Sequence, residues 1–273
     1  MKVFQILRYF VARLKGKLYN PYHMEMDVAG TVAEWIQQST KIVVLTGDEL
    51  SSESGLPDFL GSGLNPHIRD FRENKDVRAN YWKKLKDIYP SILNAEPSPS
   101  HLALAELEMM GSLDCIFTQT TDGLHHKAGS NSVIELNSSI LWVTCTSCGK
   151  DYSTDEVLSL VEKGDEIPKC IECGSDQLKP PVSFPGQPPP HWEIREAWIR
   201  LHNADLFIIV GASLEHEPVA SFPFLAKERD TKVVIISENQ SPADDFVDAV
   251  IYGKPSQVLT YIADKIKQGI TIT

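Results

Sequence analysis

The sequence predicts an α/β fold: a Rossmann-like parallel sheet with helices on both faces, carrying a small four-cysteine zinc-ribbon insertion and a helical module. Three observations predict it. Short β-branched runs (41–46, 113–118, 206–210, 232–236 and 249–251) alternate with stretches of helical periodicity. Each run has a continuous apolar stretch at its centre, as strands covered on both faces do. Two Cys-x-x-Cys pairs, Cys145 with Cys148 and Cys170 with Cys173, flank residues 149–169, the arrangement that aims four thiolates at one tetrahedral zinc. A chain of 273 residues, 42% hydrophobic, suits one large domain with an inserted module.

Taken in order, residues 1–20 place Val3, Phe4, Leu7, Phe10, Val11, Leu14 and Leu18 at helical spacing, with Lys2, Arg8, Arg13, Lys15 and Lys17 mostly between them. The expectation is an amphipathic basic helix and linker over 1–28 that packs on its own domain or on a twin subunit. Contact with an anionic membrane surface is the sharper reading, and a mitochondrial presequence is a third. Arg8 and Arg13 break any secretory apolar region, and no run is long enough to span a membrane.

A helix over 27–38 leads to the strand 41–46, which ends at Gly47. Strand, glycine turn and helix start form the arrangement that presents backbone N–H groups to a phosphate. Residues 62–96 read as a looped helical module, with Trp82, Leu85 and Ile88 on one face of a helix over 74–88. A clear helix spans 102–109. The expected Rossmann-like domain covers 29–139 and 177–273, with the ribbon module at 140–176. Four thiolates leave no open coordination position, so the expected zinc is structural. Cys115 lies in an apolar run and reads as a small buried side chain. Free and metal-bound thiols suit a reducing compartment, the cytoplasm.

Net charge is −11, and the +5 of residues 1–20 leaves −16 for the rest. So acidic a body repels phosphate backbones, and no nucleic-acid partner is expected.

The segment Ser51-Ser52-Glu53-Ser54-Gly55-Leu56-Pro57-Asp58-Phe59 closely resembles a run found in the sirtuins, the NAD-dependent protein deacylases. Thr118-Gln119-Thr120-Thr121-Asp122, Val133-Ile134-Glu135-Leu136-Asn137-Ser138-Ser139 and the cysteine ribbon extend the resemblance over about residues 29–265. It implies a cofactor site at Gly47, Asp48, Glu49, Ser51, Pro57, Asp58, Phe59, Gln119, Gly211, Ser213 and Ser237, with catalytic positions at Thr120, Asp122 and Asn137. In such enzymes the acyl-lysine oxygen attacks the nicotinamide ribose, and a histidine then takes a proton from a ribose hydroxyl.

Several letters depart from the family pattern. Asn137 stands where the histidine would be, and an amide does not titrate near neutral pH. His126 and His216 are the nearby imidazoles that could substitute. The Gly-Ala-Gly turn reads Gly47-Asp48-Glu49, the arginine after Asp-Phe is Leu60, the motif asparagine is Thr120, and the adenosine-side asparagine is Ser237. The loop that pairs with the substrate peptide reads Ser183-Phe184-Pro185-Gly186-Gln187-Pro188, whose prolines cannot donate to an added strand. Residues 211–218 add Glu215 and Glu217 to the other wall. The expectation is a structural zinc, a weakened NAD site, and a binding scaffold for a protein partner or an altered small ligand. The alternative is an enzyme that uses NAD weakly or differently: a deacylase, an ADP-ribosyltransferase or an NAD hydrolase.

Overall fold

The computed structural model describes residues 12–14, 17–18, 25–57, 64–162, 164 and 166–270. The chain opens with strands β1 (Ala12–Leu14) and β2 (Lys17–Leu18), helix α1 (Glu25–Gln38), strand β3 (Ile42–Thr46) and helix α2 (Asp48–Glu53). Helices α3 (Ile68–Glu73), α4 (Lys75–Asn94) and α5 (Pro99–Met109) precede β4 (Cys115–Thr118), α6 (Leu124–Lys127) and β5 (Val133–Glu135). The ribbon follows with β6 (Trp142–Cys145), β7 (Asp151–Ser153), α7 (Thr154–Glu162) and β8 (Leu178–Lys179). The chain closes with α8 (His191–His202), β9 (Leu206–Val210), α9 (Phe222–Lys227), β10 (Lys232–Ser237), β11 (Ala249–Tyr252) and α10 (Pro255–Ile270).

Among the described residues, one sheet runs in the order β2-β1-β11-β10-β9-β3-β4-β5, and its six strands from β11 to β5 are parallel. Alternate residues of each strand face opposite layers, so both layers need apolar cover. Ile42, Val44, Ile208 and Val210 pack with Val32 and Ile36 of α1, Leu104 of α5, and Leu259 and Ile262 of α10. Val43, Leu45, Phe207 and Ile209 pack on the other face with Leu201 of α8 and Phe222 of α9. Cys115 is buried in that second layer, and burial raises its thiol pKa.

A separate core holds the helical module against the ribbon. Phe71, Tyr81 and Phe184 meet edge to face at 5.2–5.4 Å, over the buried Trp82 and Leu85 of α4. Arg78 is 2% exposed and spans the two parts: its guanidinium donates to the Phe71 carbonyl at 2.9 Å, the Arg72 carbonyl at 2.8 Å and Asp176 at 3.0 Å.

The helix expected over residues 1–20 is corrected where the chain is described. Ala12–Leu14 pairs antiparallel with β11, and Lys17–Leu18 pairs with β1. The row of open amides and carbonyls along β11 outcompetes the helix, because a strand laid there satisfies them and covers a sheet edge. The rest of the expected helix lies outside the described residues.

Candidate functional site

The sheet changes direction between β3 and β9: the chain proceeds from β3 to β4 and β5 on one side, and from β9 to β10 and β11 on the other. The crevice outside the carboxyl ends of these strands is where α/β sheets hold ligands. Here a cavity of about 670 Å³ opens at that edge, bounded by Asp48, Ser51, Gln119, Thr120, Asn137, Ser213 and the segments 182–189 and 215–219.

Gly47 follows β3 directly. A Cβ on it would lie 2.4 Å from the Ala212 Cα and 2.5 Å from the Gly211 carbonyl oxygen, so a side chain has no room. Gly211 itself has φ +54°, and a Cβ there would fall 2.5 Å from the Glu49 Cβ. The turns after β3 and β9 are therefore seated on each other, joined by hydrogen bonds from Gly47 N–H to the Val210 carbonyl and from Glu49 N–H to the Gly211 carbonyl. The Glu49 carboxylate reaches the end of β10. It accepts from the Ser237 hydroxyl at 2.7 Å, the Asn239 amide at 2.9 Å and the Glu238 backbone N–H at 3.1 Å.

Asp122 lies beneath the cavity, 4% exposed. Its carboxylate accepts from Ser51 Oγ at 2.5 Å, Leu124 N–H at 2.9 Å and Thr120 Oγ1 at 3.4 Å. Thr118 and Thr120 share a hydrogen bond at 2.8 Å. Behind them two buried histidines lie with ring centroids 4.7 Å apart. His101 Nδ1 accepts from the Ser98 backbone N–H at 3.2 Å and sits 2.8 Å from Ser98 Oγ, and His125 Nε2 lies 2.8 Å from Thr46 Oγ1. Burial pushes both imidazole pKa values down, His125 well below the usual range. Neutral rings shielded from the cavity hold the turn in place. Glu53 is likewise a tie: it accepts from Ser100 Oγ of α5 and from the Ser256 N–H of α10.

Asn137 follows β5 and lines the cavity. Its amide nitrogen donates to the Gln119 carbonyl at 2.8 Å, which fixes the side chain as a donor toward the loop after β4. Ser138, next to it, has φ +59°, a left-handed conformation that favours glycine. His216 lines the cavity from the segment after β9, and Glu215 and Glu217 accompany it. Among the described lining residues there is no lysine or arginine.

The segment 183–187 closes on itself. Phe184 N–H donates to the Gln187 side-chain oxygen at 3.0 Å, Gln187 N–H donates to the Phe184 carbonyl, and the Pro185 carbonyl accepts from Ile68 N–H. Lys179 anchors its base by donating to the Pro180 and Val182 carbonyls at 2.8 and 2.5 Å beneath the Phe184 ring. These bonds occupy the Phe184 N–H and carbonyl, the Pro185 carbonyl and the Gln187 N–H.

Cys145, Cys148, Cys170 and Cys173 bring their sulfurs within 4.8 Å of one another, with cross contacts of 3.6 and 3.7 Å. A tetrahedron with Zn–S bonds of about 2.3 Å has sulfurs about 3.8 Å apart, so the four fit a closed zinc site.

Comparison with known proteins decides the lineage. The Sir2 family model matches residues 47–218. The chain belongs to the Sir2 family. It is 36% identical to an NAD-dependent protein deacetylase of Pyrobaculum aerophilum over 88% of this chain and 96% of that protein. It is 37% identical to an NAD-dependent protein deacylase of Archaeoglobus fulgidus, over 89% and 97%. A solved Sir2 enzyme structure superposes with a TM-score of 0.79 at 35% identity, covering 89% of this sirtuin and 98% of that chain. A structure of Sir2Af2 bound to a myristoylated histone peptide gives 0.75 at 33%, covering 90% and 99%.

Of the positions read from the sequence, the fold of this sirtuin gathers Asp48, Ser51, Gln119, Thr120, Asn137 and Ser213 around one cavity, with Asp122 beneath them. Gly47, Glu49, Gly211 and Ser237 form a separate cluster of packed turns. Pro57 is exposed, and Asp58 and Phe59 lie outside the described residues. His126 is exposed and is not among the described lining residues. The cavity also takes in Asn65 and Thr121, which the motifs did not single out. Thr121 was legible from its place in the 118–122 run, whereas Asn65 sits in a loop with no pattern to mark it.

Proposed function

We propose that this sirtuin is a non-catalytic binding protein, whose cavity receives a protein partner or a small ligand and does not run NAD-dependent deacylation. The observation that carries this reading is Asn137, a neutral amide held as a donor to the Gln119 carbonyl at the cavity wall. An amide cannot take the ribose proton, and loss of a general base removes about two to four decades of rate. The segment 183–187 supports the same reading: Phe184 and Gln187 bond to each other and Pro185 has no N–H, so fewer backbone groups are left for an acyl-lysine peptide to pair with.

A second reading keeps NAD turnover, with His216 as base. It is favoured by the place of His216 on the cavity lining and by the Ser51–Asp122 pair at its floor. Zinc-loaded protein assayed with NAD and acyl-lysine peptides separates the two. The expected result is no deacylation above that of the Asp122→Asn variant. Turnover that disappears in Asp122→Asn or His216→Ala would overturn the non-catalytic reading.

A further inference from the structure

We propose that Glu49 is a built-in anion that occupies the donor set at the switch point of the sheet and so excludes ligands carrying a nucleoside diphosphate. Three independent features of the crevice carry it.

The donors are spent. A ligand bridging β3, β9 and β10 needs hydroxyl, amide and backbone N–H donors at the end of β10, and the Glu49 carboxylate takes all three kinds, from Ser237, Asn239 and Glu238. The space is spent as well. The first turn of α2 is packed so tightly on the turn after β9 that neither Gly47 nor Gly211 could carry a Cβ, and the atoms that would meet a Cβ at Gly211 belong to Glu49. Where a glycine turn ordinarily leaves room for a pyrophosphate to approach the backbone, a side chain now lies. The cavity agrees: Asp48, Ser51 and Ser213 line it, while Glu49, Gly211 and Ser237 are not among its described lining residues.

Charge acts in the same direction. A second anion placed within about 4 Å of Glu49 is disfavoured by roughly fivefold to several hundredfold, depending on local dielectric. No lysine or arginine stands among the described lining residues to offset this. The ligand of the cavity is therefore a neutral or cationic molecule without a pyrophosphate.

The inference deepens the non-catalytic reading but is tested without turnover, so each can fail separately. Zinc-loaded wild-type protein, Glu49→Ala and Glu49→Gln are titrated calorimetrically with ADP-ribose, and melting temperature and zinc content check that each variant is folded. The expected result is no binding of ADP-ribose by the wild type at millimolar ligand and a gain of at least about tenfold in Glu49→Ala. Glu49→Gln, which removes the charge but keeps the bulk, should gain less. Micromolar binding by the wild type, or folded variants that bind no better than the wild type, would overturn the assignment.

Discussion

Asn137 and Ser138 show how much chemistry two adjacent residues decide. Asn137 donates where a base would accept, and its identity was legible because the flanking Val133–Leu136 run fixes the register. Ser138 was not singled out by the sequence, because its φ of +59° is visible only in the backbone. Ser138→Gly should relieve that conformation. A left-handed non-glycine residue costs about 1–2 kcal/mol, offset in part by the greater unfolded freedom of glycine, so the expected net gain is on the order of 1 kcal/mol by chemical denaturation. The histidine pair gives a pH prediction. Burial holds both imidazoles below the ordinary histidine value of about 6.5 in the folded protein, so the unfolded chain binds protons first as pH falls. Their stabilising contribution is fully present above about pH 6.5 and is lost below it. Thermal melts between pH 7 and pH 5 should show a smaller loss in His125→Asn than in the wild type. An equal loss would remove the pair from the account. The direction taken by Glu49 was not legible, since sequence places a carboxylate at a turn without saying which loop it reaches.

At the scale of elements, the ribbon was the clearest feature, because two Cys-x-x-Cys pairs at this separation have few other uses. Its three strands are short, and the four sulfurs gather where its two Cys-x-x-Cys turns meet. Chelation of zinc should therefore lower the melting temperature, and amides of β6 and β7 should exchange faster before those of β3 and β9. Native mass spectrometry should find one zinc per chain, and none in a Cys145→Ser, Cys170→Ser double variant. Residues 1–20 were the least legible element. Their apolar spacing fits a helix, and the open edge of β11 decides for strands at Ala12–Leu14 and Lys17–Leu18. Local periodicity does not record which sheet edge is free. Arg13→Pro, which removes a backbone donor from β1, should destabilise the fold by about 1–3 kcal/mol in denaturant titrations.

For the whole molecule, the parallel sheet was legible because strands covered on both faces are apolar at every position, as Ile42–Leu45 and Leu206–Val210 are. The position of the cavity followed from the topology, since ligands collect outside the carboxyl ends at the change of direction. Its occupant did not follow. The same scaffold serves NAD-dependent relatives at 36–37% identity, and the non-catalytic reading proposed for this chain rests on a few features: Asn137, Glu49 and the segment 183–187. The measurement that tests this account most directly is calorimetric titration of the zinc-loaded wild-type protein with NAD. The account predicts no heat and no thermal shift at millimolar cofactor. Saturable binding at micromolar NAD with one site per chain would contradict it.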